Sequence, residues 1–362
     1  MPSPEQDVTA VDRLWAVVPA GGAGTRLWPL SRASAPKFLH DLGGQGRTLI
    51  QATVDRLAPV VGDHVVVVTG AVHEEAVRAQ LPQVARIVAE PSPRDSMAAI
   101  GLAAAQLERE DPDAVIASFA ADHVITDEEA FCACVREAAA VAATGLLVTI
   151  GIEPTGPATG FGYVRSGERL EGFPTARRVT EFVEKPDLER ARAYVGSGEY
   201  RWNGGMFVVR AATLLDLLAE HHPDLTEGLR AIAADPTRLE ELWPTLTKIA
   251  IDHAVAEPAA AAGRVATVPG SFGWEDVGDF ASLAGITAGE GLRVLGDADL
   301  VLAQDATGLV VPGGQRTIAV VGLEDVVVVD TGDALLVTTL ARAQDVKGIV
   351  DRLKAGGRAD LT

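Results

Sequence analysis

Short apolar runs without polar alternation, each followed by a stretch of helical periodicity, restrict this chain more than any other feature. Leu14 to Pro19, His64 to Thr69, Ala85 to Ala89, Ala114 to Phe119 and Leu146 to Ile152 are apolar on both faces, which predicts strands covered from both sides. Between them, Thr48 to Ala58, Glu74 to Leu81, Ser96 to Glu110 and Glu128 to Ala142 space their apolar residues as helices do, with Thr48, Ser96 and Thr126 as helix starts. The expectation is an α/β fold with a mostly parallel sheet, in which ligands gather at the carboxyl ends of the strands.

Composition narrows the partners. The chain has 362 residues, 48% of them apolar and 22% charged, enough to bury a large core. Its net charge of −19 disfavours nucleic acid and anionic membranes as general partners, while leaving room for a small anion at a local site. Cys132 and Cys134 are the only cysteines, two positions apart on a helical segment, so they point about 200° apart and predict neither a disulfide nor a metal pair. A reduced, cytoplasmic setting is expected. The opening MPSPEQDVTAVDR resembles no secretory or transit segment and is read as a frayed tail. The longest uncharged stretch, Ala138 to Ile152, contains Gly145 and falls short of the roughly 20 apolar residues a membrane span needs.

Three regions are expected: a flexible tail over 1–12, an α/β domain over 13–288, and a C-terminal β-rich domain with a terminal helix over 289–362. Within the second, shorter strands are predicted at Arg177 to Val183, Gly205 to Val209 and Val265 to Pro269, and a helix at Ala211 to Glu220. In the third, five Val-rich runs (Leu300 to Ala303, Leu309 to Val311, Thr317 to Val321, Val326 to Val329, Ala334 to Thr338) alternate with glycines at near-regular spacing. They predict a small β domain or short β-helical repeat, closed by a helix over Gln344 to Leu353.

The chemistry concentrates after the first strand, in PAGGAGTRLWPLSRASAPKFL. From Arg13 to His40 there are four cations (Arg13, Arg26, Arg32, Lys37) and no acid, although the chain carries 50 acids in all. A glycine turn at Gly21, Gly22 and Gly24 lets backbone N–H groups converge on an anion, and phosphate is the natural guest. Leu27 stands where a dinucleotide fingerprint needs glycine, and no Gly-Lys-Ser/Thr follows, so neither a dinucleotide loop nor a Walker loop fits. Asp122 ends an apolar strand in DAVIASFAADHV; it is either a carboxylate placed to hold a divalent cation or a turn former. Lys185, at the end of the strand in TEFVEKPD, is either a solvated edge residue or a phosphate contact. In SFGWEDVGDF, Glu275, Asp276 and Asp279 crowd around Trp274 and Gly278, as a second carboxylate site or an acidic helix start.

Taken together, AGGAGTRLWPLSR with Pro36 and Lys37, EPSPRDSMAAIG from Glu90, ADHVI at Asp122, GIEPTGPATGFGYV from Gly151, FVEKP, WNGGMF from Trp202 and GWEDVG resemble the sugar-1-phosphate nucleotidylyltransferases. The resemblance is greatest to the bacterial mannose-1-phosphate guanylyltransferases and covers roughly residues 14–285, in the family's order. It implies a Rossmann-like sheet of the nucleotide-diphospho-sugar transferase type with a small C-terminal β-helix-like domain. The substrates implied are GTP and mannose 1-phosphate, with Mg²⁺ as the cofactor and a homodimer as a possible assembly. Ala20, Gly21, Gly22, Gly24, Thr25 and Arg26 would hold the nucleotide, with Glu90, Pro91, Arg94 and Asp122 nearby. Asp122 and Asp276 would bind the metal. Gly162, Glu184, Lys185 and Asn203 would take the sugar phosphate, and Arg26, Lys37 and Lys185 would act on the reacting phosphates.

The chain departs from the family pattern at Phe38 (usually Gln), Ala158 (commonly Glu), Gly204 (frequently Ser) and Pro19 (usually Leu). None of these replaces Arg26, Asp122, Lys185 or Asp276. Alternatives are the same chemistry with another sugar phosphate or nucleotide, a catalytically silent regulatory homologue, and a dinucleotide-dependent oxidoreductase, which Leu27 disfavours.

Overall fold

The computed structural model describes residues 11–362, so most of the tail expected over 1–12 lies outside the described residues. The chain divides into two compact units. One comprises the residues up to Ala20, Val54–Ala120 and Ile125–Trp274; the other comprises Gly21–Thr53, Ala121–Val124 and Glu275–Thr362.

The first unit is built on a nine-stranded sheet. Its strands are β1 (Leu14–Ala20), β2 (Val65–Gly70), β3 (Arg86–Glu90), β4 (Val115–Ser118), β5 (Leu147–Ile152), β6 (Gly162–Arg169), β7 (Arg177–Val183), β8 (Tyr200–Arg210) and β9 (Val265–Gly270). They lie in the order β3-β2-β1-β4-β8-β5-β9-β7-β6, with β8 also pairing β6. β8 runs antiparallel to β4 and β5, and β7 antiparallel to β9 and β6, while the remaining strands share one direction. The sheet is therefore mixed, with its mostly parallel character interrupted by β8. That strand is longer than the predicted Gly205 to Val209, because Trp202, Asn203 and Gly204, which read as loop residues, are buried within it.

Four helices of the first half are α1 (Leu49–Val61), α2 (Glu74–Gln80), α3 (Asp95–Glu110) and α4 (Glu128–Ala142). Val17, Val66, Val68 and Ile116 of the sheet join an apolar cluster with Met97, Ile100 and Leu107 of α3. The same cluster takes Leu214 and Leu218 from α5 (Ala211–Ala219) and Leu229 from α6 (Pro223–Ala234). The alternate residues Ala16, Val18, Val65 and Val67 are equally buried but lie outside that cluster, so the strands are covered on both faces. Helix α4 stands apart from the cluster, with Phe131 edge-on to both Phe119 and Phe272. Its two cysteines are free and buried, Cys132 toward the Arg56 carbonyl and Cys134 toward that of Pro269; burial pushes the Cys134 thiol up to about 12.

Two expected helix starts move. Asp127, not Thr126, caps α4, its carboxylate accepting from Ala130 N. Helix α3 begins at Asp95, and the Ser96 hydroxyl accepts instead from Ile251 N. At α4 a carboxylate takes the capping role that local spacing assigned to a hydroxyl, while α3 has no side-chain cap, its Ser96 hydroxyl being engaged by a residue remote in sequence.

The second unit carries a four-stranded sheet of β10 (Leu292–Val294), β12 (Gly308–Pro312), β14 (Val326–Asp330) and β15 (Leu335–Thr339), and a two-stranded sheet of β11 (Val301–Gln304) and β13 (Ile318–Val321). Pairing is parallel from β10 through β12 to β14 and between β11 and β13; only β15 is antiparallel. Alternation gives the Val runs two cores. Leu309, Val311, Val327 and Val329 pack with Leu27, Trp28, Leu42 and Phe280, while Val310, Val326 and Val328 pack with Val320. Helices α7 (Phe280–Ile286) and α8 (Val346–Ala355) complete the first of these cores. The predicted terminal helix begins two residues late, since Leu340–Asp345 forms a 3-10 turn before it.

Gly308 stacks directly under β14 with φ +126, and an added Cβ would fall on the Val326 carbonyl oxygen. Gly308→Ala is expected to destabilise this domain by about 3 kcal/mol, from left-handed strain plus displaced backbone. A urea titration followed by tryptophan fluorescence checks this, and an unchanged midpoint would contradict it.

Candidate functional site

In the second unit the glycine turn is shaped by two left-handed residues, Gly22 (φ +87) and Gly24 (φ +53). Gly24 caps the 3-10 turn Thr25–Leu27, and a Cβ there would stand 2.6 Å from Ser31 Oγ and 3.3 Å from Lys37 Cβ. The loop thus folds back on Ser31, whose hydroxyl donates to Ala23 O at 2.9 Å, and on Lys37. Among the described residues no heavy atom lies within 4 Å of a Cβ position on Gly21 or Gly22, and both glycines are exposed. The exposed Arg26 donates from Nη1 to Gln344 Oε1 at 3.1 Å.

Lys37 is the centre of this half of the site. Its side chain is only 13% exposed, and its ammonium meets Asp122 Oδ2 at 3.0 Å, Asp276 O at 2.7 Å and Val277 O at 3.3 Å. An ammonium has three protons, and here three protein acceptors receive them. Asp122 and the Asp276 segment therefore meet on one cation. The cost of that arrangement is visible at Val277, a buried β-branched residue held at φ +47. Next to it, a Cβ on Gly278 would lie 3.2 Å from Asp276 Oδ1 and 3.7 Å from Arg26 Nη2, so the missing side chain leaves a cradle between a carboxylate and a guanidinium. Burial, and then Asp276, push the Glu275 carboxyl up.

Asp122 and Asp276 offer carboxylate oxygens of the kind a hard divalent cation takes, and would leave its other positions to substrate oxygens and water. Among the described residues no group of three or more His, Cys, Asp or Glu could hold a metal ion.

In the first unit, Gly162, Glu184, Lys185 and Asn203 come together. An added Cβ on Gly162 would fall on Glu184 Oε2 and stand 3.3 Å from Asn203 Cβ. Glu184 is buried and pairs with Lys185 Nζ at 2.7 Å, while Lys185 is 63% exposed and sits at φ +47. Its pKa is raised by the Glu184 hydrogen bond first, and further by the fields of Asp252 and Asp95. The Asn203 amide oxygen accepts from Thr149 Oγ1 at 2.8 Å, and its nitrogen donates to Asp252 Oδ1 at 2.8 Å. Asp252 belongs to this group and is absent from the sequence expectations. Burial, then the nearby Glu184, lift its carboxyl to about 6. Its one sequence signal is a solitary acid in the apolar run KIAIDHAVA.

Glu90 ends β3, and its Oε2 is buried without a hydrogen-bond partner; burial raises its pKa to about 7. Pro91 follows, and the segment is tied down by Trp243 Nε1 donating to Ser92 O at 2.7 Å and by Arg94 donating to Pro244 O. Ala20 ends β1, its carbonyl accepting from Thr69 Oγ1 at 2.9 Å. A cavity of about 880 Å³ in the same unit, lined by Cys134, Glu137, Phe173 and Pro269 among others, includes none of these residues.

The departures from the family pattern have local explanations at two positions: Phe38 is fully buried, and a Cβ on Gly204 would stand 2.7 Å from Met206 Cε, so a serine there would press on its neighbours. The structure gives no explanation for Ala158.

The family model for nucleotidyl transferase matches residues 15–290, and that for the MannoseP isomerase/GMP-like beta-helix domain matches residues 299–353. The chain is 41% identical to the mannose-1-phosphate guanylyltransferase of Escherichia coli (strain K12), over 96% of this chain and 75% of that protein. It is 40% identical to the xanthan biosynthesis protein XanB of Xanthomonas campestris pv. campestris, over 96% and 74% respectively. The solved mannose-1-phosphate geranyltransferase from Thermus thermophilus superposes with a TM-score of 0.83 at 32% identity, over 94% of this chain and 99% of that one.

Glu90 and Asp252 both bind protons more tightly in the folded state than in the unfolded chain, so their contribution to stability is present at low pH and is lost as pH rises toward about 7 and about 6 respectively. Glu90→Gln is expected to remove the Glu90 share, making the variant more stable than the parent at pH 8 by about 1 kcal/mol once solvent screening of a half-buried group is allowed for. Urea midpoints at pH 5 and pH 8 test it; parallel pH dependences of parent and variant would contradict it.

Proposed function

The chain belongs to the nucleotidyl transferase family, and on that premise we propose that it transfers a guanylyl group from GTP to mannose 1-phosphate, giving GDP-mannose and pyrophosphate. The observation that carries the reading is the meeting of Asp122 and the Asp276 segment on the Lys37 ammonium, with the Gly24 turn packed on the base of the Lys37 side chain and Arg26 beside Asp276 across Gly278. This is a constellation for phosphates, with neither an activated nucleophile nor a proton relay. Residues 13–288 would be the catalytic domain, and the cytoplasm the compartment.

In the reaction, an oxygen of the sugar phosphate attacks the α-phosphorus of GTP and pyrophosphate leaves in line. Phosphate monoesters have a second pKa of about 6, so the nucleophile is already ionised near neutral pH and no general base is needed. The barrier is mainly the repulsion of two anions, lowered by positioning and by fixed positive charge. The amides of the exposed Gly21 and Gly22, with Thr25 and Arg26, would receive the triphosphate. Held by three protein acceptors, Lys37 would act on phosphate charge from within its cage while fixing Asp122 and the Asp276 segment. Bound Mg²⁺, held by Asp122 and Asp276, would neutralise charge on the phosphate oxygens. Glu90, with Pro91 and Arg94, would lie near the nucleotide. Lys185 would meet the sugar phosphate, and Glu184 and Asn203 the hexose hydroxyls.

Asp122→Asn should lower turnover by orders of magnitude in a folded protein, because one carboxylate for the metal and the partner of Lys37 are lost together. Parent-like turnover at ordinary Mg²⁺ would refute this role. Lys185→Ala should raise the KM for mannose 1-phosphate with little change in that for GTP, and an unaltered KM would remove Lys185 from the sugar-phosphate site. A panel of triphosphates and sugar 1-phosphates read by pyrophosphate release separates the proposed pair from the same chemistry with another sugar or base.

A further inference from the structure

The segment from Arg26 to Arg32 is tied to the C-terminal part of the second unit at three points. Trp28 Nε1 donates to Leu361 O at 2.6 Å, Arg32 forms a two-pronged pair with Asp333 at 2.7 Å on each side, and Arg26 donates to Gln344. The two arginines are treated differently. Arg32 also reaches Thr331 Oγ1, and its charge is spent on Asp333, whose carboxyl it holds down at about 2. Arg26 is held by a neutral amide, which orients it without cancelling its charge.

We propose that Gln344 is a positioning residue for Arg26, so that the C-terminal β domain takes part in the use of the nucleotide; this rests on the reading of Arg26 as a triphosphate contact. The chemistry of its two neighbours fixes the amide. Asp279, a buried carboxylate, accepts from Ala281 N and Ser282 N with Oδ1 as the cap of α7, and from Gln344 Nε2 with Oδ2. A carboxylate takes only donors and a guanidinium offers only donors, so one orientation of the amide serves both: nitrogen to Asp279, oxygen to Arg26. The relay is anchored on a helix with a complete capping box, a rigid base for an otherwise exposed arginine. A glutamate in place of Gln344 would be repelled by Asp279 and would draw Arg26 into an ion pair, and an apolar side chain would remove the bonds to Asp279 Oδ2 and to Arg26 together.

The test compares Gln344→Met, Gln344→Glu, Arg26→Ala and the double variant Arg26→Ala/Gln344→Met by pyrophosphate release with GTP varied. Loss of preorganisation should raise the KM for GTP about fivefold in Gln344→Met, with kcat and the KM for mannose 1-phosphate nearly unchanged. In the Arg26→Ala background the same substitution should add nothing. Gln344→Glu should raise the KM for GTP further at low salt than at high salt, as expected of a screened ion pair, and it carries the test if Gln344→Met does not fold. An unchanged KM in both Gln344 variants overturns the proposal, and so does an equal loss with and without Arg26, which would mark a purely structural role. If Arg26→Ala itself leaves GTP use intact, the reading of Arg26 fails and takes the proposal with it; a defective Arg26→Ala beside normal Gln344 variants defeats the proposal alone.

Discussion

A partly buried ammonium organises the glycine turn and the acidic segments around it. Removing Lys37 from water is unfavourable unless each of its protons finds an acceptor, and the three that it finds come from Asp122 and from the carbonyls of Asp276 and Val277. Segments far apart in the chain are thereby drawn to one point. The left-handed Val277 is the strain this requires, and its side chain, buried with Leu27, Trp28 and Phe280, supplies packing that offsets it. The glycines at 24 and 278 follow from the same crowding, since each faces Lys37 or the groups around it at distances where a Cβ would press on a neighbour.

Charge in this region is governed by partners remote in sequence. The acid-free window from Arg13 to His40 suggests four cations facing a ligand, yet Arg13 pairs with Asp113 at 2.7 Å, Arg32 with Asp333 and Lys37 with Asp122. Arg26 instead donates to the neutral amide of Gln344. A positive field counted along the chain is thus largely quenched in the fold, and what distinguishes Arg26 is the chemistry of Gln344. In the first unit the logic is reversed: Glu184 and Asp252 are carboxylates crowded together and desolvated, with Asn203 and Lys185 as their donors, a pairing suited to recognising hydroxyls beside a phosphate.

The strands of the first half were readable because both of their faces are apolar, a pattern set by burial under helices on each side; β1 and β4 lie within a residue or so of their expected positions. In the C-terminal part β12 and β14 were readable for the same reason, since each feeds two cores. The full extent of β8 was not, because Asn203 and Gly204 look like loop residues until Thr149, Asp252 and Met206 are placed around them. Asp252 escaped notice since nothing in its neighbourhood of sequence indicates that Asn203 and Glu184 will face it.

Hydrophobic periodicity, glycine placement and acids at strand ends are local properties, so the chain alone determined the α/β layering, the β-rich C-terminal part and the glycine turn after the first strand. Which cations stay available, which carboxylates meet and which amide steadies Arg26 depend on partners up to 318 residues apart. Electrostatic interactions act through space and solvent exposure, not along the chain, and for that reason only the tertiary structure decided them.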